Sequence, residues 1–172
     1  MDLKQNNEFM SLVNPIVNNS DFIKTQDTIH HGIKKFDHSI KVSYYSYKIA
    51  KKLNFDYESV ARAGLLHDYF LSNTNGKSLS KKALKLTYKH HNIALRNSRR
   101  NFKLNKLEED IIVKHMFPVI PKIPKYKESF LVAFVDKIIG THEFLSKFNK
   151  LLNYKILSQV IPSFMIFTNI IK

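Results

Sequence analysis

From Phe36 to Leu53 apolar residues recur at Phe36, Ile40, Tyr44, Tyr47 and Ala50, and this three-to-four spacing predicts one helix with a single core-facing side. Asp56 suits the N-cap of a second helix, from Tyr57 to about Leu71, on which Val60, Ala63, Gly64 and His67 share a face. A third helix is predicted over roughly Ser80 to Phe102. Asn105 and Glu108 approximate a capping box, and Leu107, Ile111, Ile112 and His115 give a short fourth helix that Pro118 stops. Pro121 and Pro124 imply an extended connection, followed by a fifth helix from about Tyr126 to Phe148. Leu151 onward supplies a further helix or two, broken near Pro162. Ser72 to Ser78 reads as a loop, and nothing alternates apolar and polar for long enough to demand a strand. The expected architecture is an all-α bundle.

Composition agrees with this reading. The chain has 172 residues, enough for one domain over 1–172, and its 44% hydrophobic content with only 4 Gly and 5 Pro leaves little for a turn-rich β fold. Without cysteine, disulfides, thiolate metal sites and cysteine nucleophiles are excluded, so any metal must use His and carboxylate. The start lacks the pattern of a secretory signal, and the apolar stretch Ile156 to Ile171 is too interrupted to span a bilayer, so a cytoplasmic protein without membrane partners is expected. The net charge of +14 raises the possibility of a polyanionic partner. Yet only Arg62, Arg96, Arg99 and Arg100 among 28 basic residues are arginine, which favours a solvated lysine coat over nucleic-acid binding.

Several ionisable residues lie where core residues belong. His38 is on the row His38, Val42, Tyr45, Ile49; His67 on Val60, Ala63, Gly64, His67, Leu71; and His90 on Ala83, Leu86, His90, Ala94. His115 ends the row Leu107, Ile111, and Asp136 lies between Val132 and Ile139. Asp68 leaves its helix about 100° round from His67 and flanks whatever His67 faces. Taken singly, each histidine is more often a core residue hydrogen-bonded to backbone than a ligand. Taken together, buried imidazoles and carboxylates that converge are compensated at once by a divalent cation, for which neutral imidazole and carboxylate are ordinary ligands.

Three segments carry a family resemblance. Phe36-Asp37-His38-Ser39, the run Ala63-Gly64-Leu65-Leu66-His67-Asp68, and Phe134-Val135-Asp136-Lys137 together resemble the HD-domain superfamily of metal-dependent phosphohydrolases over about Phe36 to Glu143. Lys89-His90-His91-Asn92-Ile93-Ala94-Leu95 and Ile111-Ile112-Val113-Lys114-His115-Met116-Phe117-Pro118 resemble elements of a little-characterised bacterial group of that superfamily with additional metal-site histidines. His91 stands where that group usually has proline, so either His90 or His91 can face the site; alignment with Ala94 and Leu95 favours His90. His30, His31 and His142 match no ligand position and read as exposed.

The resemblance implies an HD-domain helical bundle with one or two divalent transition-metal ions (Fe, Mn, Zn, Co or Ni). His38, His67, Asp68 and Asp136 would hold one ion, and Asp68, the candidate catalytic carboxylate, would bridge to a second held by His90 and His115. Water between the ions would then attack a phosphoester of a nucleotide or related small molecule. Lys137 and Arg62 are candidates for holding substrate phosphate, or else an exposed cation and a partner for a core carboxylate. The loop after the His-Asp helix could border the pocket. Two other functions fit the scaffold: a non-catalytic nucleotide- or nucleic-acid-binding regulator, and a di-iron oxygenase.

Overall fold

The computed structural model describes residues 6–27, 29–30, 33–71 and 81–170, with side chains described except over 26–34, 81–87 and 150–170. The fold is all-α. Among the described residues α1 (Asn7–Val17), α2 (Ser20–Ile23) and a 3-10 turn (Lys24–Asp27) precede α3 (Lys35–Lys52), α4 (Tyr57–Leu66), α5 (Lys81–Asn101), α6 (Lys106–Lys114) and α7 (Lys127–Ile170). Two-residue strands β1 (Ile29–His30) and β2 (Ile33–Lys34) pair antiparallel just before α3, too short to alter the class. No helix among the described residues is long and apolar enough to cross a membrane.

Local sequence explains the helix boundaries. Asn54, at φ 54°, closes α3 in the left-handed conformation, and the Phe55 N–H then reaches back to the Ala50 carbonyl at 2.9 Å. Asp56 caps α4 by accepting from the Ser59 N–H at 3.0 Å. Asn105 and Glu108 form a reciprocal capping box at α6, each side chain accepting from the other's backbone N–H at 2.8 Å. Three boundaries differ from expectation, the first being that α7 runs unbroken from Phe148 into Leu151, where a new helix was expected. α4 ends at Leu66 rather than near Leu71, so His67 becomes its C-cap and Asp68 lies beyond the helix. α7 continues through Pro162: a proline removes one backbone hydrogen bond and crowds one carbonyl, at about 3 kcal/mol, and the turns on either side carry the helix past it.

The chain divides into two compact units, Met1–Ile139 and Gly140–Lys172, with the boundary inside α7. The first unit has a core of Phe9, Val13 and Ile16 from α1, Val42, Tyr47 and Ala50 from α3, Val60, Leu65 and Leu66 from α4, Ile111 and Ile112 from α6 and Val132 from α7. α3 and α4 approach closely at Gly64, where an added Cβ would sit 3.0 Å from the Ser43 backbone Cα. Beside it the Ser43 hydroxyl donates to the Ala61 carbonyl at 2.6 Å. Only glycine admits this crossing without displacement, and the crossing sets the start of α3 against the end of α4. On the other side of the unit Asp110 ties down the entry to α7, accepting from the Lys125 N–H at 2.9 Å and the Ser129 hydroxyl at 2.8 Å. The second unit is helical over 140–170, and in it His142 is exposed, as expected.

Candidate metal centre

α4 and α6 end in the same way. The last carbonyls of a helix lack intrahelical partners, and in each case the capping histidine supplies one. His67 Nδ1 lies 2.7 Å from the Gly64 carbonyl, and His115 Nδ1 lies 2.8 Å from the Ile112 carbonyl. A carbonyl can only accept, so in both rings Nδ1 carries the hydrogen and Nε2 presents its lone pair. The rings meet edge to face with centroids 4.9 Å apart, and both residues are buried.

The other candidates gather around this pair. From the first turns of α3, His38 places Nε2 2.9 Å from Asp136 Oδ1, an oxygen that also lies 3.6 Å from His67 Nε2. From α5, His90 places Nε2 2.9 Å from His115 Nε2 and 3.3 Å from Asp68 Oδ1. His115 Nε2 is itself 3.7 Å from that oxygen. Two sets of potential ligand atoms result, His38/His67/Asp68 and Asp68/His90/His115, each with its atoms within 4.8 Å of one another and with Asp68 common to both. Asp136 joins the first set through its contacts with His38 and His67.

The electrostatics follow from this packing. Burial pushes the Asp68 carboxyl upward, but His67, His90 and His115 outweigh it and hold the group well below the usual carboxylate range. At Asp136 burial is likewise overcome, here by the hydrogen bond with His38 and the neighbouring His67 ring, with help from the Lys137 charge. Burial, reinforced by the neighbouring His67 and His90, pushes His115 down to about 3, so its imidazole is neutral and available as a ligand.

Whether these residues fit a cation is tested by what the protein leaves unsatisfied. His67 Nε2 and Asp68 Oδ1 are buried without a hydrogen-bond partner, and such atoms ordinarily cost ~1–3 kcal/mol each. Asp68 is common to both sets, and His67 belongs to the first. A nitrogen-and-oxygen donor set with outward lone pairs and anionic oxygens suits a divalent first-row cation. The residues fit.

The remaining candidates separate. His91 turns away from the cluster and lies 3.3 Å from the Lys122 ammonium, so His90 is the one of the two histidines that joins it. Lys137 donates to Asp136 Oδ2 at 2.7 Å and to the His115 carbonyl at 2.8 Å, placing its charge at the edge of the cluster while fastening Asp136 to the end of α6. Arg62 instead donates to Glu108 at 2.6 Å and to the Lys103 carbonyl at 3.2 Å, at the start of α6 and thus at the opposite end of that helix from His115. This is the core-carboxylate partnership weighed as its alternative role. His31 and most of the Ser72–Ser78 loop's neighbourhood, including that whole loop, lie outside the described residues, as does the side chain of His30. Tyr45 and Ile49, placed on the His38 row, are 44% and 40% exposed, so only the first part of that row faces inward.

Sequence reasoning missed the supports of the segment that follows His67. Lys35 donates to the Phe70 carbonyl at 2.9 Å, and Asn97 donates to the Tyr69 carbonyl at 3.0 Å. The only available signal was that Lys35 precedes His38 by three residues on the same helix and therefore shares its side.

The HD domain family model matches residues 36–141, more than half of the chain and the stretch that contains every residue of the cluster. No curated protein and no solved structure matches the chain.

Proposed function

From the premise that this chain belongs to the HD-domain family, we propose that it is a metal-dependent phosphohydrolase acting on the phosphoester of a nucleotide or related small molecule. The observation that carries this reading is that His67 Nε2 and Asp68 Oδ1 are buried without a hydrogen bond in a cluster of four imidazoles and two carboxylates. In this reading His38, His67, Asp68 and Asp136 hold one ion, and Asp68 shares a second with His90 and His115. A divalent ion supplies Lewis acidity toward phosphoryl oxygens and lowers the pKa of water from about 15.7 to about 7.

The chain's own residues then have defined tasks. The backbone carbonyls of Gly64 and Ile112 fix the tautomers of His67 and His115 before any ligand arrives. Lys137 keeps Asp136 in place through one oxygen and leaves the other toward His38 and His67. Its partly exposed ammonium, at the edge of the cluster, also suits a contact with a substrate phosphate. No protein nucleophile is needed, in keeping with a chain that has no cysteine.

Elemental analysis of the purified protein should find at least half an equivalent of Fe, Mn, Zn, Co or Ni. Hydrolysis of p-nitrophenyl phosphate or its bis-ester should accompany it, and both should disappear in the His67→Ala, Asp68→Ala double variant. Bound metal with oxygen consumption in place of hydrolysis would overturn the hydrolase assignment, and a metal-free protein would overturn the centre itself.

A further inference from the structure

Asp68 and its neighbours Tyr69 and Phe70 lie beyond the end of α4, so regular helical hydrogen bonding does not fix them. Two side chains hold carbonyls of this segment instead. Asn97 from α5 takes the Tyr69 carbonyl, and Lys35 from α3 takes the Phe70 carbonyl. Of the two, Lys35 is the harder to explain as packing. It is 2% exposed, and a methionine would fill the same space without an ammonium to desolvate. Its Nζ lies 2.8 Å from the Phe70 ring centroid as well as on the Phe70 carbonyl, so one buried amino group grips both the backbone and the side chain of that residue.

The Phe70 ring leads directly to the candidate centre. It packs on the His90 ring with centroids 5.1 Å apart at a 32° tilt, and the Phe70 N–H donates to the Asp68 carbonyl at 2.7 Å. Lys35 is thus connected to Asp68 through the backbone and to His90 through the ring. The other set has separate ties: His38 to Asp136, and Asp136 to Lys137. We propose that Lys35 is a positioning residue acting chiefly on one half of the centre, setting His90, which belongs to that half alone, and Asp68, which both halves share, while His38, His67 and Asp136 keep their own supports. This inference rests on the metal-centre reading above.

Full-length protein stripped of metal and titrated with Mn²⁺, with free Mn²⁺ followed by EPR, tests both. Wild type should take up two ions, and His90→Ala should remove the step belonging to the Asp68/His90/His115 set. Lys35→Met should weaken that same step by about 10–100-fold, the usual effect of losing a residue that orients a ligand, and weaken the other step, which has only Asp68 in common with it, several-fold less. Phe70→Leu, which retains the carbonyl but loses the ring on His90, should weaken the same step less. It carries the test by the same criterion if Lys35→Met does not fold. Two unchanged steps in the variant, or equal weakening of both, would overturn the positioning role while leaving the centre intact. A wild-type protein that binds one ion or none would overturn the two-set reading beneath it.

Discussion

The same two helices, α4 and α6, carry a polar network at each end, the N-terminal one partly exposed through Asp56 and Asn105 and the C-terminal one buried at His67 and His115, and the two differ in kind. At the N-terminal ends Asp56, Ser59, Arg62, Asn105 and Glu108 are joined in a closed set in which each side chain meets a partner. At the C-terminal ends His67 and His115 are satisfied on one nitrogen and left open on the other, facing Asp68 and its orphaned oxygen. A closed network returns its desolvation cost within the protein and serves stability. An open one retains part of that cost until something binds, which marks it as a site.

The largest break in this comparison should come from the open end. Replacing His67 and Asp68 by alanine should reduce phosphoester hydrolysis by about 10³-fold or more, equivalent to roughly 4 kcal/mol of lost transition-state stabilisation. Steady-state rates read beside metal content would check it. Acid should act next most strongly, also at this end. His115 is pushed down to about 3 in the fold against an ordinary 6.5, so between those values the unfolded chain binds the extra proton. Stability is therefore complete above about pH 6.5 and is lost as pH falls toward 3. Asp68 and Asp136, both depressed, add a loss of the same sign as pH falls below the carboxylate range. Metal-free protein should melt roughly 10 °C lower at pH 4.5 than at pH 7, at about 2–4 °C per kcal/mol for a chain of this size. In His115→Gln the difference should shrink; an unchanged slope would place the sensitivity elsewhere.

Changes at the closed end should be smaller and should spare the metal. Arg62→Met removes the cation paired with buried Glu108 and should cost about 2 kcal/mol, less than a fully buried pair because Arg62 is partly exposed. Denaturant melts should register the loss with metal content unchanged, and a fall in metal content would show that the two ends are coupled. Smallest is Asn105→Ala, which removes one member of the capping box for about 1 kcal/mol.

What the sequence disclosed depended on whether a feature was local. The Asp56 cap, the Asn105/Glu108 box and the His-Asp pair at the end of a helix are set by neighbours a few residues away, and each was legible. The choice between His90 and His91 was open because helical phase does not say which of two adjacent side chains finds a partner on another helix; contact with His115 and Asp68 decides it. Arg62 looked equally suited to a phosphate or a carboxylate, and its partner lies 46 residues away. Lys35 gave no signal beyond its three-residue spacing from His38, because a lysine opening a helix is ordinarily solvated. Pro162 misled in the opposite direction, since a residue that disfavours a helix does not oblige it to end.

The tether at Asp110 has a consequence for the far carboxylate. By holding Ser129 it clamps the rotational phase of α7, and Asp136 follows seven residues on, close to two full turns and so nearly in line along the helix axis. The helix thus works as a ruler with its zero mark on α6. One alanine inserted between Ser129 and Asp136 would swing the carboxylate about 100° around that axis, a misreading that no side-chain rotamer could undo.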